Sequence, residues 1–197
     1  TESYIAAETV EAIHGTVDLT LDNTWRLTAG IRWEEWIRGG PLPLDLLNLT
    51  SSVNNLITAI QDPNQTFAVA EDDYYPSVAL TYMGNNLFGA DDYQLRFSYG
   101  KTVVRPDLRE ISDTIYIDPD LGIRIRGNPN LVSAEIDHLD LRAELFYGDG
   151  SNLTASLFYK DIKNPIEQVE RPASADNRAL GFDNAESGEI YGLELEG

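Results

Sequence analysis

At 197 residues the chain is long enough for one domain with a sizeable core, and 42% of its residues are apolar. Its 33 Asp and Glu against 14 Lys and Arg give a formal charge of -19, so no cationic face is offered to a nucleic-acid backbone, and nucleic acid is not an expected partner. With no cysteine, disulfides, thiolate metal sites and cysteine nucleophiles are excluded.

No basic segment leading into an apolar one opens the chain, and no apolar run approaches the roughly 20 residues of a membrane helix. Thr1-Glu2-Ser3 is no natural start, and Gly197 follows GLELE as if cutting a strand short, so the sequence reads as a piece of something longer.

The first strand puts Ile13, Gly15, Val17, Leu19 and Leu21 on one face and Ala12, His14, Thr16, Asp18 and Thr20 on the other. After the Asx-rich turn at Asp22-Asn23-Thr24, Trp25, Leu27, Ala29, Ile31 and Trp33 alternate with Arg26, Thr28, Gly30, Arg32 and Glu34. A long excursion is expected from about Glu35 to Asp73. Within it Leu46, Leu49, Val53, Leu56, Ile57 and Ile60 recur at helical spacing, which predicts a short amphipathic helix ended by Asp62-Pro63. The acidic run Glu71-Asp72-Asp73 closes that loop.

Alternation returns with Pro76, Val78, Leu80 and Tyr82, and again, after a connector over Gly84–Asp92, with Tyr93, Leu95, Phe97 and Tyr99. A second long loop runs from Val104 to about Glu135. Leu139, Leu141, Ala143, Leu145 and Tyr147 then oppose His138, Asp140, Arg142, Glu144 and Phe146. Gly148-Asp149-Gly150 turns the chain into Leu153, Ala155, Leu157 and Tyr159. A third loop, Asn164 to about Gly188, leads to the strand IYGLELE. Connections therefore alternate short and long, the mark of antiparallel hairpins with all short turns at one end.

A soluble sheet packed on a second sheet fits the alternation alone. Three features favour a bilayer. The alternating runs reach roughly 9–11 residues, the length of a tilted membrane strand. Aromatic residues stand at the ends of the apolar faces: Trp25 and Trp33, Tyr93 and Tyr99, Tyr147 and Tyr159. The opposite faces carry Arg26, Arg32, Glu34, Arg96, His138, Asp140, Arg142 and Glu144, as a hydrated lumen requires.

The ordered set Gly100-Lys101-Thr102, Arg105-Pro106-Asp107, Gly127-Asn128-Pro129-Asn130-Leu131, Leu157–Ile162 (LFYKDI) and Tyr191–Glu196 (YGLELE) resembles the C-terminal half of the barrel of TonB-dependent outer-membrane receptors. Ala29–Glu34 (AGIRWE) is similar to a strand that recurs in that family. The resemblance implies a bacterial outer-membrane localisation and an all-β, antiparallel up-and-down meander, with one short helix in a long loop. Residues 1–197 would be part of a single β-barrel domain, about seven strands of a transmembrane barrel of about 22. It also implies energy-dependent uptake of a scarce ligand of the siderophore or oligosaccharide class, and outer-membrane lipid around the barrel. A periplasmic TonB-type energy transducer would act through an N-terminal plug that is not recognisable here. The family continues its Gly-Asn-Pro-x-Leu motif with Lys-Pro-Glu; here Val132-Ser133-Ala134-Glu135 follows, and the loop exit is expected to be less rigid. The alternative is a soluble all-β module that binds a ligand such as carbohydrate.

No catalysis is expected, and no cofactor or metal is called for. His14 and His138 are the only histidines and sit in no catalytic motif. Glu71-Asp72-Asp73 and Asp118-Pro119-Asp120 offer oxygen ligands without the spacing of a calcium loop. Ligand contacts are expected on the long loops and their roots. There Trp36, Tyr74, Tyr75 and Tyr116 could stack on a sugar or flat chelate, and Arg105, Arg109, Arg124 and Arg126 could meet an anionic one.

Overall fold

A computed structural model describes residues 4–43, 49–61, 68–118, 122–171 and 179–197. In chain order the elements are β1 (Tyr4–Leu21), β2 (Trp25–Pro43), α1 (Leu49–Gln61), β3 (Ala68–Leu87), β4 (Ala90–Val104), β5 (Ile115–Ile117), β6 (Arg124–Arg126), β7 (Ala134–Phe146), β8 (Asn152–Lys163), β9 (Ile166–Arg171), β10 (Ala179–Asn184) and β11 (Ser187–Glu196). Seven of the strands form one antiparallel sheet in the order β1-β2-β3-β4-β7-β8-β11, the expected meander.

Register partners in an antiparallel ladder project from the same face. Leu19, Leu27, Leu80, Phe97, Leu141, Leu157 and Leu193 stand side by side across the whole sheet. One residue along each strand, on the opposite face, the row is Thr20, Arg26, Thr81, Arg96, Arg142, Ser156 and Glu194. The apolar face is left open: Ile13 is 69% exposed and Leu195 71%. The buried apolar side chains among the described residues include Ile111, Ile125, Leu131 and Ala134, which lie in the second loop or at its boundary with β7. The polar face is the one that the loop after β4 folds across, since Arg105 reaches Glu34 on that face.

The aromatic residues stand at the two ends of the apolar face. Trp33 and Tyr74 share a row near the long loops, whereas Tyr99, Tyr159 and Tyr191 lie in the row of Ala29, four residues nearer the short turns. The lower edge shifts the same way, since Trp25 and Tyr82 share a row and Tyr93 lies one row nearer the turns. An apolar face with aromatic rings at both ends is the geometry of membrane strands held between two girdles.

Three expectations need correction, and a fourth, the short helix in the first long loop, is met by α1 with a different buried stripe. The excursion from Glu35 to Asp73 is strand at both ends: β2 runs to Pro43 and β3 begins at Ala68, so Glu71-Asp72-Asp73 lies inside a ladder rather than closing a loop. Past Trp33 the inner face of β2 carries the buried Trp36 and Arg38 among charged neighbours, so the apolar–polar alternation that reveals a strand disappears. The connector over Gly84–Asp92 shrinks to the two-residue turn Phe88-Gly89 between the paired Leu87 and Ala90. The second and third loops are themselves built: β5, β6, β10 and β9 make a second, four-stranded sheet in that order, with β6 and β10 parallel. Finally, α1 buries Ser52 and Leu56, an i, i+4 pair, and lies against β1 and β2, while Ile57 of the expected apolar stripe is 44% exposed. Leu46, Asp62 and Pro63, expected to belong to this helix or end it, lie outside the described residues.

Candidate ligand-binding site

Beyond Trp33 the inner face of β2 presents Glu34, Trp36 and Arg38, in register with Ala12, Val10 and Glu8 of β1 and with Asp73, Glu71 and Val69 of β3. Trp36 is 1% exposed. Its indole N–H donates to Glu8 Oε2 at 3.2 Å, and the guanidinium carbons of Arg38 and Arg105 lie 5.4 and 5.5 Å from its ring centroid. Two cations on one indole is a cation–π arrangement that the burial strengthens.

Arg105 arrives from the other side of the site. β4 ends at Val104, and Pro106, with no N–H to give the ladder, takes the chain out of the sheet. Arg105 Nη2 donates to Glu34 Oε2 at 2.7 Å, and Arg32 bonds the other oxygen of that carboxylate. Burial pushes the Glu34 carboxyl up, but the bonds from Arg32 and Arg105 outweigh it and hold the group below its ordinary range. Burial pushes Arg38 down against the pull of Glu71 and Glu8; an arginine so placed stays charged. Its Nε and Nη1 are buried without a hydrogen-bond partner, as is Arg105 Nε.

After Pro106 the chain makes a single helical turn closed by a capping box. Asp107 Oδ1 accepts the N–H of Arg109 at 2.8 Å, while Glu110 Oε2 accepts the N–H of Asp107 at 2.8 Å. This turn aims Arg109, whose guanidinium lies 5.6 Å from the ring of Tyr116. A cavity of about 580 Å³ opens between the turn and the sheet, lined by Glu8, Val10, Trp36, Val103, Arg105, Pro106, Asp107, Leu108 and Arg109. Its lining mixes guanidinium groups and carboxylates with the apolar Val10, Val103, Pro106 and Leu108, so the cavity can hold a ligand by charge-assisted hydrogen bonds.

The chain matches the family described as TonB dependent receptor-like, beta-barrel over residues 2–197. It belongs to that family. The receptor barrel also resembles three solved structures. They are a double mutant of the Serratia marcescens hemophore receptor HasR in complex with its hemophore HasA and heme (TM-score 0.65, 15% identity), the copper transporter OprC (0.63, 17%), and the siderophore receptor PirA from Pseudomonas aeruginosa (0.51, 15%). At these identities the likeness shows the fold. The chain is covered over 95%, 96% and 98% of its length and spans 31%, 26% and 40% of theirs, in the same order. No curated protein matches it.

Membership places the receptor barrel in the outer membrane, with the apolar belt toward lipid and the polar rows toward the lumen; short turns then face the periplasm and long loops the exterior. No described helix is long and apolar enough to span a membrane, and a barrel crosses with strands instead.

Of the predicted contact residues, Trp36, Arg105 and Arg109 come together at the cavity, with Tyr116 behind Arg109. Tyr75 is on the inner face, opposite Arg32. Tyr74 is not in the site: it pairs with Trp33 on the outer face and is 57% exposed there, as a girdle residue is. Arg124 and Arg126 pair with Ile117 and Ile115 in β5, while Tyr116 pairs with Ile125 on the other face of the small sheet; Arg126 bonds Asp113 at 2.7 and 3.0 Å. Trp36 corrects its own expectation, for its faces are taken by guanidinium groups and it is a platform rather than a free stacking surface.

Sequence reading missed Arg38, Glu34, Glu8 and Glu71 as site residues. The signal was parity: even positions of β2 from Arg26 onward face the lumen, and carrying the count past Glu34 reaches Trp36 and Arg38. The same parity splits the acidic run, Glu71 and Asp73 inward and Asp72 outward, so its carboxylates do not converge on one ion. Among the described residues no group of three or more His, Cys, Asp or Glu is arranged to hold a metal. Pro119 and Asp120 of the other acidic run lie outside them.

Proposed function

We propose that residues 1–197 form seven neighbouring strands in the single barrel domain of an outer-membrane importer. It captures a scarce nutrient at the exterior mouth and passes it inward with energy relayed by a TonB-type transducer through a plug. The observation that carries this reading is the pairing of two features on one sheet: an apolar belt edged by aromatic rings outside, and inside, at the loop end, the cavity where Trp36, Arg105 and Arg109 meet. The relatives named above are described as receptors or transporters for a heme-bearing hemophore, a siderophore or copper. The guanidinium groups favour an anionic ligand here, a siderophore or acidic oligosaccharide.

The test uses the full-length gene product in outer membranes, with the ligand found by growth and uptake screening. Arg105→Ala should weaken ligand binding about 10- to 100-fold, the loss of about 1.5–3 kcal/mol expected for a hydrogen bond to a charged group, and Trp36→Ala should weaken it in the same direction by removing the platform under Arg105. Tyr74→Ala and Arg126→Ala should leave it within about twofold. Unchanged affinity in the first two, with folding verified by heat-dependent gel mobility, would remove the cavity from the reading.

A further inference from the structure

The hairpin between β3 and β4 breaks a local rule. Phe88 and Gly89 are its two central residues, with φ of 52° and 82°. Positive φ at both positions defines a type I′ turn, whose first place ordinarily carries asparagine, aspartate or glycine, because larger L side chains are crowded there. The β1–β2 turn obeys this preference, with Asp22 and Asn23 at φ of 50° and 55°. Phe88 instead holds a phenyl ring in that conformation, and at 86% it is the most exposed large apolar side chain among the described residues. Neither the backbone nor packing within the chain favours it, which is the signature of a residue kept for a contact outside the chain.

The ring stands clear of the bilayer. Tyr93 marks the girdle on β4, and Ala90 lies about 10 Å farther along the strand, or about 8 Å along the membrane normal at the usual tilt. The headgroup layer beyond the hydrocarbon is about 5–7 Å thick. The surroundings have charge of one sign. Asp22, Asp91, Asp92 and Asp149 stand at three turns, and segments 21–24, 87–92 and 147–152 hold no lysine or arginine. The second and third turns touch, since a Cβ built on Gly148 would meet Asp91 Oδ2 at 2.6 Å. Asp22, Asn23, Asn85 and Asp92 line one recess of about 530 Å³ beside the hairpin.

We infer that this turn end docks a periplasmic protein segment offering an apolar recess for Phe88 and basic side chains for Asp22 and Asp92 at the recess and for Asp91 on the other face of β4, beside Gly148. An aromatic anchor ringed by groups of one charge is the usual composition of such a contact: the ring supplies affinity, the charges orientation and on-rate. An anionic headgroup surface would be repelled by the same carboxylates. The inference rests on the orientation of the barrel and not on the ligand cavity.

The experiment places benzoylphenylalanine at position 88 of the full-length protein in cells and, as a control at the same end, at exposed Ser151. Irradiation should give a discrete protein adduct from position 88, with at most a tenth of the yield from 151. Mass spectrometry should locate it in a partner segment of net positive charge, and Asp91→Asn with Asp92→Asn should lower the yield at least about fivefold while heat-dependent gel mobility is unchanged. Phe88→Gly, which suits the turn, should keep or raise the unfolding temperature while binding of the purified partner segment falls at least about tenfold. Adducts on phospholipid only, equal yield from 151, no adduct, or a contact segment without basic residues would each overturn the inference.

Discussion

Gly127 shows what the GNPNL motif is for. A Cβ there would lie 2.3 Å from the Ser112 carbonyl oxygen and 2.6 Å from that of Glu110, both main-chain atoms that cannot swing aside. Asn128 then donates its N–H to Glu110 O at 2.6 Å and its side-chain amide to Phe182 O at 3.1 Å, clasping the turn that carries Arg109 to the third loop. Gly127→Ala should cost about 1–3 kcal/mol of local stability, read as faster proteolysis of the second loop and weaker ligand binding with the barrel intact. The loop exit, expected to be loose without its proline, is fastened otherwise: Asn184 Oδ1 accepts the Val132 N–H at 2.9 Å, its amide donates to Val132 O at 3.0 Å, and Ser133 donates to Glu71 at 2.6 Å.

Lys101 is a second single-residue joint, 2.6 Å from Asp73 and 3.1 Å from Glu135, so it ties β3, β4 and β7 together past the girdle. The hydrogen bond to Asp73, greater than the opposing effect of burial, raises the lysine above its ordinary 10.5; the same bond holds Asp73 below its ordinary 3.8. A raised lysine gives its full stabilisation below 10.5 and loses it as pH climbs through the folded value; a depressed aspartate gives it above 3.8 and loses it as pH falls through the folded value. The joint should therefore contribute a constant amount between those limits. Because both groups are partly exposed, that amount is about 0.2–1 kcal/mol. Thermal unfolding of the full-length barrel against pH, with and without Lys101→Met, should differ by a constant offset through this window and converge in acid below it.

At the scale of the strand, the face assignment can be broken by one charge. Leu141 sits in the apolar row between Phe97 and Leu157, while Ser98, one residue along from Phe97, faces the lumen opposite Asp140. Leu141→Arg should cost about 2–4 kcal/mol of bilayer stability near the midplane, and Ser98→Arg little; equal losses in a liposome folding assay would undo the assignment. The same contrast explains what the residues disclosed before any coordinates. Between Trp25 and Trp33 one face meets lipid and the other water, so alternation exposes the strand. From Glu35 onward the inner face holds Trp36 and Arg38 and the outer face Glu35 and Ile37, so no apolar–polar contrast marks the two faces, and only counting on from Arg26 gives the parity. Three-residue strands such as β5 and β6 are too short to have a period. At the cavity, Trp36, Arg105 and Arg109 stood out by type and by their place at loop roots. Arg38 and Glu8 did not, because their partners come from register and not from nearby sequence.

Over the molecule as a whole, β1 and β11 are open edges and the belt between them is bare hydrocarbon. The isolated 197-residue chain should aggregate or require detergent. A monomer in plain buffer, unfolding cooperatively by circular dichroism, would contradict the membrane assignment. The parallel pairing of β6 with β10 has a different bearing, on how such a barrel can be altered. Because the second and third loops share one sheet and are cross-stitched by Asn128 and Asn184, neither is an independent module. A specificity transplant that moves one loop into another receptor leaves half a sheet behind. The two would have to be grafted as a pair, while among the described residues the helix-bearing loop between β2 and β3 is joined to neither by a strand ladder and offers the simpler place to begin.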